Sequence, residues 1–328
     1  MSENKKIASI SISGEITLNL HSLNNEGGEG NQIITRQVTI VDKNGEPQTV
    51  NAISGDMFKH IAAVHLAQLA KEQNLPLSSY AEKLNPNRIG KDDFENYFKT
   101  HSDKKNESSA DIVSAMIDIC TVCDTNGILI TDKIGDNKNS SNTPRKSVIE
   151  FGWTVGIPGK NNTESYLHTK LVADASGVRG EGRNEGQNIF HRPANHGVYA
   201  FVCSIDAYRI GFNDIAREYP IDDTQRARRY KALLQSLLSA FINPQGAMTS
   251  TQKPHITDFR GVVSISEKLI PAPTISALNE NYETEIQGIS DNLNIIEEGA
   301  IEVKSFSGLS ELSAIFVNLL NAEPYKIQ

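Results

Sequence analysis

Residues 49–72 combine a strand, a Ser-Gly turn and a helix start, an arrangement that can bind phosphate. The segment begins as a β-type run and continues after Gly55 with the apolar spacing of an amphipathic helix. Ser54 is a favourable N-cap, and the first N–H groups of a helix have no partner inside it, so they can bind an anion. Lys59 and His60 follow about one turn later. These four residues are candidate phosphate contacts; an ordinary capped helix is the alternative.

Two alternating segments precede this turn and are predicted to be strands. They span residues 7–20, with a bulge at Gly14, and residues 33–41. If the two strands form a hairpin beside the helix start, polar side chains near their ends approach the Ser-Gly turn. Those side chains are His21, Asn31 and Arg36. The alternative is that they are ordinary turn residues.

Length and charge limit the classes of function. The chain has 328 residues and a formal net charge of −8, so any nucleic-acid binding requires a local basic groove on an acidic body. Three cysteines give no even disulfide framework. The first residues lack the apolar core of a signal peptide, and no apolar run is long enough to span a membrane. We therefore expect a cytoplasmic protein without a membrane partner.

The middle of the chain is predicted to contain two excursions from the main sheet. Residues 74–146 are polar with short helical patterns, which indicates a helical insertion. Residues 158–196 are rich in glycine and polar residues and fit a protruding β-hairpin. Basic residues are spread along that hairpin, namely Lys160, Lys170, Arg179, Arg183 and Arg192.

Three further segments complete the predicted core. Residues 197–211 are a strand whose inward face we place at Val198, Ala200 and Val202. A strong helix at 222–242 carries basic residues in its first turns, namely Arg226, Arg228, Arg229 and Lys231, which indicates either a polyanion partner or a solvated face. A strand follows at 258–266. Without its insertions the order is βαββαβ, the ferredoxin-like arrangement of RRM-type nucleic-acid binders, and the fold class is α+β.

No catalytic or metal-binding pattern stands out. Cys120 and Cys123 form a lone CxxC, for which packing, a metal site with distant histidines and redox chemistry all remain open. Acids such as Asp124, Asp206 and Asp214 lack any motif that selects them. Trp153, in a predicted strand, is most simply a core residue. We expect no cofactor and no bound metal.

Several segments resemble a known family. SISGEITLNLHSLNNEGGEGN, the stretch TRQVTIVDKNGEPQTVNAISGDMFKHIAAVHL, ICTVCDTNGIL, GVYAFVCSIDAYRIG and RRYKALLQSLLSAFINPQGAMTS are similar to the DevR-type backbone subunit of type I CRISPR Cascade complexes, most like type I-B. That subunit belongs to the RAMP superfamily. The similar segments lie in order between residues 9 and 265.

The resemblance implies a three-part architecture. An RRM-like palm would comprise residues 1–73 and 147–328, including C-terminal helices. Helical fingers would comprise residues 74–146, and a β-hairpin thumb residues 158–196 within the palm. The thumb would act as a wedge in the RNA, with Leu171 and Val172 as candidate wedge residues.

The resemblance also implies a function. Copies of the chain would assemble head to tail along the guide RNA (crRNA), together with other Cascade subunits, and would support pairing with target DNA without contacting it directly. The implied RNA contacts are Ser54, Gly55, Lys59, His60, His21, Asn31, Arg36, Arg179, Arg183, Gln245, Gly246, Ala247 and Met248, with the last four reaching the guide from the far edge of the palm. Such a subunit would not be an enzyme.

Two other functions are weighed against this one. Related subunits of type III complexes cleave target RNA with an aspartate and a metal ion, and Asp56 is the acid nearest the predicted phosphate site. Its position in the first turn already explains it as a residue that favours the helix terminus. A transcription regulator is the third possibility, but no helix-turn-helix pattern supports it.

Overall fold

A computed structural model describes residues 5–135, 142–170 and 188–328. The described α-helices are α1 (Gly55–Glu72), α2 (Ser79–Glu82), α3 (Lys91–Thr100), α4 (Ser109–Ile119), α5 (Thr121–Asn126), α6 (Asp223–Ile242), α7 (Tyr282–Ile296) and α8 (Leu309–Leu320). The strands are β1 (Lys6–Ile7), β2 (Ser9–His21), β3 (Asn25–Glu29), β4 (Gln32–Thr35), β5 (Gln37–Val41), β6 (Pro47–Ile53), β7 (Ile128–Ile130), β8 (Thr143–Arg145), β9 (Ile149–Phe151), β10 (Thr154–Lys170), β11 (Asn188–Ile205), β12 (His255–Ser266), β13 (Ile301–Ser307) and β14 (Glu323–Pro324).

A ten-stranded sheet organises the molecule. Its main path is β13-β12-β2-β11-β10-β6-β5, and neighbouring strands along this path are antiparallel. Strands β3, β4 and β9 join the sheet off this path. The mixed α and β composition and the large sheet confirm the predicted α+β class.

One face of the sheet is covered by α1 and α6, which also pack against each other. Alternate residues of β2, such as Ile10 and Ile12, share one apolar core with Phe58 of α1 and Leu237 of α6. Phe201 of β11 lies in the same core, with its ring 5.4 Å from that of Phe58. Both predicted helices are therefore present, and each buries the apolar face that its spacing indicated.

The opposite face of the sheet is also covered. Ser11 Oγ of β2 donates a hydrogen bond to the carbonyl of Ala272, and the Ala272 N–H donates to Ser9 Oγ. Tyr282 and Ile286 of α7 pack in a second core with Ala200 of β11. The segment around residues 272–286 thus shields a face that would otherwise be exposed.

The two segments predicted as excursions are described in part. Between α1 and β9 the chain forms α2 to α5 and the β7–β8 pair. Strands β10 and β11 pair antiparallel as far as Lys170 opposite Asn188, with a register shift between Gly156 and Asn161. The candidate wedge residues Leu171 and Val172 lie outside the described residues.

Several sequence predictions are wrong in detail. Strand β2 does not form a hairpin with residues 33–41; it pairs with β11 and β12. Residues 33–41 divide at Arg36 into β4, which pairs with β3, and β5, which pairs with β6. The register is continuous at Gly14, where no bulge occurs. Glycine is needed there because a Cβ would lie 2.5 Å from the Arg260 carbonyl oxygen.

The inward face of β11 is the reverse of the predicted one at residues 198–203, although Ile205, which we also place inward from the sequence, is in the main core. Tyr199, Phe201 and Cys203 are buried in the main core, whereas Val198 and Val202 are only partly buried. Strand alternation fixes which residues share a face, but it does not choose between faces when both are covered.

Two of the four basic residues at the start of α6, Arg226 and Arg229, are buried, whereas Arg228 and Lys231 are exposed. Arg229 has no exposed side-chain area and pairs with Asp124, and Arg226 pairs with Asp223. Arg226 Nε also donates to the Ile210 carbonyl. Neither guanidinium group is free to bind a polyanion, so that explanation of the basic cluster is wrong for these two residues.

Within the described part of the chain, no helix is long and apolar enough to cross a membrane.

Candidate nucleic-acid interface

The start of α1 is built as the sequence predicts. Ser54 caps the helix by accepting a hydrogen bond from the Met57 N–H at its Oγ atom, 3.3 Å away. The Ser54 N–H donates to Asn24 Oδ1 at 2.6 Å, which fixes the turn against the chain that leads into β3. A Cβ on Gly55 would lie 2.4 Å from the Phe151 carbonyl oxygen. Gly55 therefore allows close packing against β9, rather than the approach of a ligand.

A groove of about 320 Å³ opens beside this helix start. Lys59 and Lys146 line it together with Asp56 and Glu150. Lys59 is partly buried, and burial, assisted by the charge of Arg88, lowers its pKa while the two acids act in the opposite direction. Lys146 pairs with Glu150 at 3.2 Å. The groove is polar and carries both charge signs, so phosphate binding would depend on its two lysines.

Trp153 borders the same groove, and its surroundings differ from the prediction. It is 44% exposed and is therefore not a core residue. The Arg36 guanidinium carbon lies 5.4 Å from the centre of the Trp153 ring, within the range of a cation–π contact. Arg36 Nε lies 3.1 Å from Glu26 Oε1. Arg36 is thus at the groove, but β3 and β4 bring it there, not the predicted hairpin.

The loop after α6 lies against α1 at His60. A Cβ on Gly246 would lie 2.9 Å from His60 Nε2, so the loop and His60 are in contact. Ala247 packs against the small core that contains Ile61. The Asn25 side chain donates to Met248 Sδ at 3.5 Å. Residues 245–248 therefore lie on the same side as the helix start, and their predicted place at the far edge of the sheet is wrong.

Asn31 lies farther along, at the turn between β3 and β4. Its side chain is exposed, and its carbonyl accepts a hydrogen bond from the His191 N–H at 2.8 Å. Next to it, Arg192 Nη1 donates to Thr251 Oγ1 at 3.0 Å, and its guanidinium group lies 4.7 Å from the Phe190 ring. This second polar surface lies at the base of the β10–β11 arms. Arg179 and Arg183 lie outside the described residues.

His21 is not available to a ligand. It is 1% exposed, and its Nε2 lies 2.9 Å from the Tyr199 hydroxyl. Burial, and to a smaller extent the charge of His196, lowers its pKa to about 3. The neutral imidazole is therefore a buried hydrogen-bonding group at the end of β2, and its predicted place among the RNA contacts is wrong.

A family model described as "CRISPR-associated negative auto-regulator DevR/Csa2" matches residues 12–287. This match spans most of the chain. The protein belongs to the DevR/Csa2 family. The predicted resemblance to DevR-type proteins is confirmed.

Named relatives are similar over nearly their full length. "CRISPR-associated protein Cas7/Csa2 1" from Saccharolobus solfataricus is 24% identical over 296 residues, which cover 86% of this chain and 87% of the relative. "CRISPR-associated protein Cas7/Cst2/DevR" from Methanocaldococcus jannaschii is 25% identical over 295 residues, covering 86% and 88%. A chain in a solved "CRISPR RNA-guided surveillance complex, pre-nicking" has a TM-score of 0.49 and 10% identity, covering 94% of this chain and 99% of that one. The family membership rests on the family model and not on this structural likeness.

The two cysteines of the CxxC lie in the interior of this DevR-family chain. Cys120 and Cys123 are both fully buried and free, and the Cys123 N–H donates to Cys120 Sγ at 3.3 Å. Cys120 thus caps the short helix α5. Among residues 5–135, 142–170 and 188–328, no group of three metal-binding side chains is found.

Asp124 and Asp214, for which the sequence shows no functional motif, form structural ion pairs. Asp124 is fully buried between Arg145 and Arg229. Asp214 pairs with Arg145 and Arg209, which hold its pKa below the usual value against the effect of burial. These ion pairs connect the helical insertion to α6, which covers the main sheet, and to the segment after β11.

Sequence reasoning missed Trp153 and Lys146 as groove residues. Trp153 follows Gly152 at a break between β9 and β10, where the side chain turns outward. The Gly-Trp pair within an apolar run was a signal for such a break, because glycine in a strand often marks an irregularity. Lys146 lies in a segment predicted as a loop, and its proximity to α1 arises only from the fold.

Proposed function

We propose that the protein is a non-catalytic, guide-RNA-binding backbone subunit of a type I CRISPR Cascade effector complex. The observation that carries the proposal is the lysine-lined groove at the start of α1 in a member of a CRISPR-associated family. The names of the relatives and of the solved complex are consistent with it.

The groove is suited to an RNA backbone rather than to a small molecule. Phosphates would contact Lys59 and Lys146, with Arg36 beside them. His60 and the loop at residues 245–248 extend this surface along α1. Contacts of this kind position a nucleic acid without reading its sequence, which suits a subunit whose guide must vary.

The proposed palm is RRM-like. Its elements are β2, α1, β9–β10, β11, α6 and β12, which follow one another as βαββαβ if the insertions are set aside. The corresponding strands are neighbours in one sheet, and both helices pack on the same face. Because the opposite face is covered by residues near 272–286, RNA would bind at the helix start and not on the open sheet surface of an RRM.

Several copies would bind one guide. The proposed arrangement is head to tail, because a contact between two different surfaces of the same chain generates a filament that can follow an RNA of any length. The arms β10 and β11, as the thumb, would reach toward a neighbouring copy. Target DNA would then pair with the guide and not with this protein.

Co-expression tests the proposal. The chain is produced with a CRISPR repeat-spacer RNA and the neighbouring Cascade subunits, and bound RNA in the purified particle is sized and sequenced. We expect a large particle with one discrete guide. The double variant Lys59→Glu, Arg36→Glu should lose it, because each change replaces a cation with an anion in the groove.

A single charge reversal outside the groove controls for a general effect of added negative charge. Lys268 is exposed and pairs with Glu297, far along the chain from the groove residues. Lys268→Glu should leave the RNA content unchanged. A monomer without nucleic acid in the presence of all partners, or equal RNA loss in both variants, would contradict the proposal.

A further inference from the structure

Trp153 has the features of a stacking surface for a base. It is the single tryptophan of the chain, and 44% of it is exposed at the groove that Lys59 and Lys146 also line. In the described part of the chain, its ring contacts Arg36, and no hydrogen bond from its indole N–H is found. Because so much of the Trp153 side chain is exposed, packing in the core does not explain its position.

The backbone around Trp153 explains why it points outward. Phe151 packs inward, with its ring 6.4 Å from that of Phe58, and Thr154 is fully buried. Gly152 lies between them, and a Cβ there would lie 2.4 Å from Val202 Cγ2. Trp153 follows Gly152 directly and lies between Phe151, whose ring packs inward, and the buried Thr154. At this break between the strands, its side chain faces the groove.

Cations that could contact phosphates lie around the ring, in a groove that Asp56 and Glu150 also line. Arg36 lies against the ring and pairs with Glu26, and Lys59 and Lys146 line the groove that Trp153 borders. In single-strand binding sites, cations follow the phosphates while aromatic rings stack on the bases, because every base has a π-face. The ring and the two lysines lie in one groove. A single nucleotide could therefore place its phosphate at the lysines and its base against the ring.

We propose that Trp153 stacks on one unpaired base of single-stranded RNA whose adjacent phosphates contact Lys59 and Lys146. The inference rests on the proposed function, since it requires RNA in the groove. It adds a base contact that is independent of base identity. Its consequence is that the chain distinguishes a nucleotide chain from a sugar–phosphate chain of equal charge.

The single tryptophan makes the contact directly measurable. The purified full chain is titrated with an oligoadenylate of about 12 nucleotides and with an abasic ribose–phosphate chain of the same length. We expect oligoadenylate to quench the Trp153 emission and to bind at least about fivefold more tightly than the abasic chain. The abasic chain should bind without quenching.

Two variants, followed by fluorescence anisotropy of labelled RNA, separate stacking from charge. Trp153→Leu should bind both chains with the affinity that the wild type shows for the abasic one, and Trp153→Phe should restore part of the preference because it restores an aromatic ring. Equal affinity of the wild type for both chains, or oligoadenylate binding without quenching, would overturn the stacking inference alone. Failure of both chains to bind, or binding that Lys59→Glu does not weaken, would overturn the groove itself and the stacking with it.

Discussion

Replacing Asp124 by asparagine tests how the helical insertion is held to the sheet. Its Oδ1 accepts a hydrogen bond from Arg145 Nη2 at 2.8 Å, and its Oδ2 accepts one from Arg229 Nη1 at 3.0 Å. All three side chains are fully buried. Asparagine keeps the shape but removes the carboxylate that pairs with Arg229 and one of the two that pair with Arg145. Because an uncompensated buried charge is strongly unfavourable, we expect the free energy of unfolding to fall by about 3–5 kcal/mol.

A partly exposed carboxylate provides the comparison. Glu302 also pairs with two basic residues, Lys5 and Lys304, but all three side chains are 32–41% exposed. Glu302→Gln should lower the free energy of unfolding by about 0–1 kcal/mol, because water screens and replaces these contacts. Urea unfolding followed by far-UV circular dichroism measures both variants. With an m-value of about 3 kcal/mol/M, the midpoint should fall by about 1–1.7 M for Asp124→Asn and by less than about 0.4 M for the control.

The outcome that refutes this reasoning is a similar shift for both variants. It would mean that the buried carboxylate contributes no more to stability than the partly exposed one, and that packing alone joins the insertion to the sheet.

Three further predictions concern the groove and its supports. The pKa of His21 falls from 6.5 to about 3 on folding, so between these values the unfolded chain binds a proton that the folded chain does not. The free energy of unfolding should therefore fall as the pH drops below 6.5, by about 2–3 kcal/mol at pH 4.5. His21→Gln should flatten this pH dependence in urea titrations. Gly55→Ala should lower the free energy of unfolding by about 1–3 kcal/mol, because its Cβ would meet the Phe151 backbone. Gly288→Ala lies in α7 with open space around the new Cβ, and it should raise the free energy of unfolding by about 0.5–1 kcal/mol in the same assay. Incubated with complementary RNA and Mg²⁺, wild type and Asp56→Asn should both leave the RNA intact on a gel, and cleavage that Asp56→Asn abolishes would favour a ribonuclease.

Local features of the chain were predictable because local interactions determine them. The Ser54 cap, the helix after it and the apolar face of α6 follow from capping chemistry and a 3.6-residue period. The capped helix α4 was predictable for the same reason, since Ser108 and Asp111 form a reciprocal capping box.

Strand pairing was not predictable in the same way. Strands β2 and β12 pair although more than 200 residues separate them, and neither sequence specifies its partner. Alternation also failed to orient β11, because α7 and the preceding segment cover the second face and make both sets of side chains partly or fully buried. The error for Trp153 has a related cause, since only the break at Gly152 turns an apolar residue out of the sheet.

Most of the arginines near the centre of the molecule contribute little charge to the proposed RNA groove. Arg145, Arg209, Arg226 and Arg229 are held in internal ion pairs and contribute little to the surface potential. The groove has Arg36, Lys59 and Lys146, and the acids Asp56, Glu150 and Glu26 lie beside them. Under the proposed function, if each cation neutralises one phosphate, we expect the affinity of one copy to vary with salt with a logarithmic slope of only about −2. Firm binding to a guide would then require several copies on one RNA, because linked sites multiply their affinities. The proposed filament is the arrangement that would make so small a groove sufficient.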